Sequence, residues 1–431
     1  MESQKENPRV SLCMIVKNEE KNMERVLSWG EGTLWEKIVV DTGSTDKTVE
    51  LAEKLGAKVY HFPWIDDFAA ARNFALEKAA GDWILMLDAD EYPAPGIPEK
   101  LFPVLAQMSG FDGAFCSVLG LDEKGEINAC SSRILLFRNT PMLRYRRRIH
   151  EQLGFTDGRE MRLANGEKEL AFFHDGYAGE VYEKKKSSRR NLRLLEQELS
   201  EHPKDYEIMG YLGDEYRNFG DIKQAKKWYL RSVAHMPKTL PGSDPRSSWT
   251  FSSLILLYAM EGSHLEAEQI YETAVKKQPG EADFDYQMGI FCVAASRWAD
   301  GAVYLSRAIA KAEQSQTGNS CMQTRASLEQ IYENLALCFL RSGRRKEAVE
   351  TAVALLKAKP YDMKGLYILL SAFYEDGGEK ADTEVYMEDV LSFLKRIYVS
   401  FSLKDRFFIA KAAEKAGWDV LKLWVEGGKK E

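Results

Sequence analysis

Over its first third the chain alternates short, uniformly apolar runs with stretches of helical spacing. Val10 to Val16, Lys37 to Val40 and Ile84 to Leu87 are too short and too apolar for amphipathic helices, so they predict strands buried in a parallel sheet, and Ala57 to Phe62 reads as a further strand. Between them, helices are predicted from about Glu20 to Trp29, Thr48 to Leu55 and Asp66 to Ala79. Strand and helix alternating through short connections predict right-handed crossovers. Further on, Gly113 to Gly120, Ser132 to Phe137 and Leu143 to Ile149 read as strands without long intervening helices, which predicts mixed or antiparallel edges. The strands cease near Tyr182, and the charged run Lys184 to Arg190 reads as a solvated helix start at a boundary. An α/β domain over 8–180 and an all-α domain over 187–431 follow from this pattern.

The all-α part repeats. Tyr211-Leu212-Gly213, Tyr216, Gly220, Ala225, Tyr229 and Pro237 are echoed by Leu257-Tyr258, Gly262, Ala267, Tyr271 and Pro279, displaced together by an insertion at Lys238 to Arg246. Later units centre on Gly289 with Ala302, on Gly343 with Ala348 and Pro360, and on Gly378 with Ala381. These units resemble tetratricopeptide repeats, paired helices of about 34 residues with a small residue at the crossing. Leu403 to Trp424 would then be a capping helix pair.

Composition narrows the possible functions. A chain of 431 residues with 45% apolar and 29% charged residues is globular and of two or more domains. A net charge of -7 gives no electrostatic case for nucleic acid. No apolar run approaches the roughly 20 residues of a membrane span. Met1 to Arg9 is polar, and a cytoplasmic protein is expected. The six cysteines are scattered without a CxxC pair, as reduced, buried thiols would be.

Candidate chemistry lies at strand ends. Asn18 with Glu19, Asp41 with Asp46, and Asp88 with Asp90 each follow a predicted strand, the edge at which open α/β sheets bind ligands. If the chain stays extended after Leu87, Asp88 and Asp90 face one side and offer hard oxygen donors to Mn²⁺ or Mg²⁺ beside phosphate. No G-x-G-x-x-G or Walker A loop follows the first strand, which argues against dinucleotide oxidoreductases and P-loop ATPases. Along Leu143 to Ile149 an extended chain puts Arg144, Arg146, Arg148 and His150 on one face, a candidate cradle for a diphosphate.

The order of motifs resembles that of the family 2 glycosyltransferases, which have the Rossmann-like GT-A fold. Lys17-Asn18-Glu19 follows the first strand, DTGSTDKT starts at Asp41, DFAAARN at Asp67 and LDADE at Leu87. The later His150-Glu151 pair, the His-x-Gly-Tyr element at His174 and the helical repeats resemble a branch that glycosylates peptide cysteines. The resemblance implies that Asp41 contacts base or ribose, that Asp88 lies near the ribose and that Asp90 ligates the metal on the diphosphate. It also implies that Arg72 faces the nucleotide and that His150 and His174 complete the metal shell or touch the diphosphate. Glu151 is the candidate base for an inverting displacement, with Glu91 and Asp175 as alternatives. The expected activity is transfer of a hexose, glucose by preference, from a UDP-sugar to a Ser, Thr or Cys side chain of a peptide held by the repeats. Transfer to a surface saccharide and an inactive repeat scaffold are the competing readings. The repeats have a second possible use, covering the back of the catalytic domain or forming a homodimer contact.

Overall fold

The computed structural model describes residues 7–122, 124–175, 189–240, 244–315 and 321–427. Gly176 and Tyr177 of the His-x-Gly-Tyr element, the change of character at Tyr182 and the run Lys184 to Ser188 lie outside the described residues. The chain divides into two compact units, Met1–His235 and Met236–Glu431.

In the first unit the strands are β1 (Val10–Val16), β2 (Glu36–Asp41), β3 (Lys58–His61), β4 (Trp83–Met86), β5 (Glu91–Pro93), β6 (Gly113–Leu121), β7 (Ile127–Arg138), β8 (Leu143–Arg146), β9 (Gln152–Phe155), β10 (Leu163–Asn165) and β11 (Ala171–His174). The main sheet runs β3-β2-β1-β4-β7-β6-β11-β5, with β10 beside β6. The first four strands in that order are parallel, and β7 joins β4 and β6 antiparallel, so the edge is mixed as expected. The uniformly apolar runs have a direct cause. Alternate residues feed two cores: Leu12, Met14, Val39 and Leu85 face one, while Cys13, Ile38, Val40, Ile84 and Met86 face the other.

Helices α1 (Glu20–Leu27), α2 (Thr48–Lys54) and α4 (Ile97–Gln107) cover the first face through Met23, Ala52 and Leu101. Helix α3 (Phe68–Lys78) covers the second through Ala75 and Leu76, together with the β8-β9 ribbon. Asp67 fixes the start of α3 by accepting the Ala70 N–H at 2.8 Å. All six cysteines are free, and Cys130 departs from expectation in being exposed.

Secondary structure changes between His174 and Arg190, but the compact unit continues to His235. It therefore includes α5 (Arg190–Glu201), α6 (Tyr206–Asn218) and α7 (Ile222–His235). Leu192, Leu195, Ile208 and Leu212 of this arm pack with Ile149 in one buried cluster.

Paired helices make up the second unit. Ala267, Ala302 and Ala348 are fully buried in the second helices of successive pairs. A Cβ on Gly289 would come within 2.5 Å of Leu305 Cδ2, which is why the crossing needs glycine there. Gly378 caps the end of the helix Met363–Gly377 and opens a 3₁₀ turn, with Ala381 buried beside it. Leu403–Lys415 and Asp419–Val425 form the final two described helices, the first opened by a Ser402/Asp405 capping box. No helix among the described residues is long and apolar enough to cross a membrane.

Candidate active site

Strand β4 ends at Met86 and delivers the chain into a tight turn, with the Glu91 N–H donating to the Asp88 carbonyl at 3.0 Å. Asp88 and Asp90 therefore do not share a side by strand alternation. The Asp88 carboxylate accepts from Arg72 Nη2 at 2.6 Å and from Arg133 Nη2 at 3.2 Å. Asp90 instead stands 3.6 Å from His174 Nε2.

From Asp88 the charges alternate outward. Arg72 also donates through Nε to Glu151 Oε1 at 2.8 Å, while Arg133 pairs with the fully buried Glu91. The order Glu91, Arg133, Asp88, Arg72, Glu151 compensates every charge with an opposite neighbour, as buried charges require. Burial works to raise Asp88, but Arg72 and Arg133 outweigh it and hold the carboxyl well below the usual range. Burial and the Asp88 charge push Glu91 up to about 7 against the pull of Arg133. For Arg72 burial acts downward, and Asp88 and Glu151 reverse it, so its guanidinium stays charged. Tyr145 lies under Arg72 with the guanidinium carbon 5.6 Å from the ring centroid.

This ladder borders a cavity of about 750 Å³, lined among others by Arg72, Asp88, Arg133, His150, Glu151 and His174. Of the three carboxylates considered as base, Glu151 lines the cavity; Glu91 is fully buried, Asp175 is paired with Arg25, and neither is among the lining residues. His150 also lines it, stacked on Tyr211 of α6 at 3.7 Å and 2°. Asp90, His150 and His174 are not gathered about one point. Among the described residues the group of three possible ligands close enough to share an ion is Glu329, Glu333 and Asp362 in the second unit, where Lys359 and Lys364 pair with the two glutamates.

Asp90, Asn18, Glu19, Asp41 and Arg148 are not among the residues lining the cavity. Asn18, Glu19 and Asp41 knit the end of β1 to the turn after β2. Asn18 receives the Thr45 N–H at 2.8 Å, the Glu19 N–H donates to Thr48 Oγ1 at 2.8 Å, and Asp41 accepts the Ser44 N–H at 3.0 Å. Burial would raise Asp41, and the Ser44, His61 and Gly43 hydrogen bonds outweigh it and lower its pKa. Arg148 is held by Glu201 at 2.7 Å and does not line the cavity. The expected row of Arg144, Arg146, Arg148 and His150 does not form. The strand stops at Arg146, and Arg147 (φ 74°) and His150 (φ 53°) break the alternation. Arg144 instead donates to its local Thr140 and Leu143 carbonyls.

Sequence reasoning missed Arg133, Tyr145 and Tyr211. An arginine interrupting the apolar strand SSRILLF was a usable signal for the first. Nothing local marked Tyr145, which is brought in by the paired hydrogen bonds of Asn73 to its backbone at 2.8 and 2.9 Å. Tyr211 reads as an ordinary repeat position.

Comparison with known proteins agrees with this architecture. A TPR repeat-containing protein of Synechococcus elongatus is 35% identical over 233 residues, covering 52% of this chain and 56% of that one. The SPbeta prophage-derived glycosyltransferase SunS of Bacillus subtilis is 25% identical over 236 residues, covering 54% and 55%. The chain thus spans just over half the length of these curated relatives. The structure of S. aureus TarS 1-349 in complex with UDP-GlcNAc aligns at 15% identity over 62% of this chain and 90% of that one, with a TM-score of 0.34, too slight a likeness to bear on function. Residues 11–158 match the sequence model for glycosyl transferase family 2, so this segment, with most of the mixed sheet and Glu151, is similar to family 2 glycosyltransferase domains, and helical repeats follow it in this chain.

Proposed function

We propose that the protein is an inverting, metal-dependent glycosyltransferase that moves a hexose, glucose by preference, from a UDP-sugar to a Ser, Thr or Cys side chain of a peptide. The observation that carries this reading is Glu151: within the segment similar to family 2 domains it is the candidate carboxylate that lines the cavity, joined through Arg72 to Asp88. Inversion needs a base on the far side of the sugar from the leaving group, and Glu151 takes the proton of the acceptor hydroxyl or thiol in this scheme. Arg72 fixes the Glu151 carboxylate in orientation while holding Asp88 ionised.

Asp90 and His174, one carboxylate and one imidazole 3.6 Å apart, suit Mn²⁺ or Mg²⁺ held largely by a donor's phosphates, since such ions need few protein ligands there. A bound divalent ion supplies stabilisation of the charge that develops on the departing diphosphate. The peptide acceptor is inferred from the motif order and from the helical repeats, whose stacking suits extended chains.

Calorimetric titration of UDP, with and without Mn²⁺, on wild type and on Asp90→Ala tests the reading. Binding should require both the metal and Asp90, and acceptor-free hydrolysis of UDP-glucose should follow the same dependence. Absence of UDP binding under every condition would overturn the assignment.

A further inference from the structure

The segment Arg147 to Gln152 carries both His150 and Glu151, and it holds two non-glycine residues at positive φ, 74° at Arg147 and 53° at His150. L side chains keep such conformations only where the surroundings impose them. Here what imposes them comes from the helices that the sequence alone assigns to the repeats. Arg147 pairs with Asp205 at 2.9 Å and with Glu207. The Arg148 N–H donates to Glu198 Oε2 at 2.9 Å and its guanidinium to Glu201 at 2.7 Å. Ile149 is buried against Leu192, Leu195 and Ile208. His150 lies flat on Tyr211, and Gln152 donates to Glu207 at 2.7 Å. His150, Glu151 and Gln152 line the cavity, and of these it is Glu151 that pairs with Arg72 there.

We propose that the arm Arg190–Asn218 belongs to the reaction centre rather than to acceptor capture. By bracing both neighbours of Glu151 it aims that carboxylate at the acceptor, and Tyr211 is the positioning residue that sets the His150 ring against the cavity. A purely structural arm would need only the apolar cluster. Instead, polar and aromatic contacts meet every residue that flanks Glu151, and Tyr211 itself reaches the cavity wall. Because Tyr211 acts through His150 and Glu151, its loss should lower kcat while leaving nucleotide affinity in place.

The activity arm of the test rests on the glycosyltransferase reading; the spectroscopic arm does not. In the full chain, Tyr211→Ala should lower kcat for UDP-glucose turnover about 10-fold or more, since small misplacements of a reacting group have costs of that order. The Kd for UDP should stay within about 2-fold, because no phosphate contact is touched. Tyr211→Phe keeps the stacked ring and should recover most of the rate. In NMR spectra, the His150 Hε1 resonance should carry a ring-current shift in wild type and in Tyr211→Phe and lose it in Tyr211→Ala. Should the alanine variant not fold, Tyr211→Leu removes the ring while keeping apolar volume. Wild-type kcat in a variant that has lost the ring-current shift overturns the positioning role, as does an unshifted His150 in wild type. No turnover in wild type despite a shifted His150 would remove the glycosyltransferase reading, and this role with it.

Discussion

Replacing Arg72 by Met probes the charge ladder most directly. The methionine fills much of the aliphatic stem, so what is lost is the guanidinium and its two bonds, 2.6 Å to Asp88 and 2.8 Å to Glu151. Breaking a buried ion pair from one side costs about 3–5 kcal/mol, because the remaining charge is left uncompensated. Asp88 keeps Arg133 and is 31% exposed, which sets the expected value at the low end of that range, while Glu151, 14% exposed and left with no other ion pair among the described residues, keeps it within the range. We therefore expect about 3 kcal/mol, which corresponds to roughly 100-fold faster native-state exchange of the Ile84 and Leu85 amides in β4. The pH dependence has a fixed sign. Asp88 is depressed in the fold, so its contribution is present above the unfolded carboxylate pKa, about 4, and is lost as pH falls through its lower folded value. The gap between wild type and Arg72→Met should accordingly shrink as the pH is taken below about 4. Hydrogen exchange with mass-spectrometric readout at pH 7 and well below the unfolded carboxylate value, at about pH 3, corrected for intrinsic rates, measures both effects. A change under about 5-fold at pH 7, or a gap that widens in acid, would refute the view that Arg72 is held by compensation of two carboxylates.

Two further outcomes follow from the same geometry. Glu151→Gln should reduce transfer by about 10²–10⁴-fold, the range for loss of a general base, with the UDP Kd from calorimetry unchanged; an equal loss of UDP binding would reassign Glu151 to the donor or metal. Glu91, raised to about 7 by burial and Asp88, binds a proton in the fold that the unfolded chain releases near 4.3, so stability should decline as pH rises between those values. Glu91→Gln should flatten that slope in urea unfolding followed between pH 4.5 and 7.5, and an undiminished slope would show that Arg133 keeps Glu91 ionised.

The centre of the parallel half was legible because β1, β2 and β4 each feed two cores and are therefore apolar nearly throughout, whereas β3 at the edge exposes Lys58 and His61. Val10–Val16 is found with its expected bounds, and the Lys37 to Val40 run gains one residue at each end. Legibility failed where the chain leaves regular structure. Alternation placed Asp88 beside Asp90 and lined up Arg144, Arg146, Arg148 and His150, but both inferences assumed an extended backbone. A turn after β4 and two positive φ values after β8 remove that assumption. Local sequence carries little trace of such conformations at non-glycine residues, because tertiary contacts hold them.

The same limit explains why the arm Arg190–Asn218 reads as the start of the repeats. Its amphipathic spacing serves equally well for packing on another helix pair or on a sheet domain, since burial of Leu192, Ile208 and Leu212 is non-directional. The choice is made by directional contacts instead. Glu198, Glu201, Asp205 and Glu207 present carboxylates to Arg147, Arg148 and Gln152, and Tyr211 presents a ring to His150. In the sequence the two sides of this contact are separated by the segment from 153 to 189, and alone the first reads as a strand with an arginine-rich face and the second as the start of the repeats. Only their juxtaposition shows that Arg147 and Arg148 serve the helices while Glu151 pairs with Arg72 at the cavity.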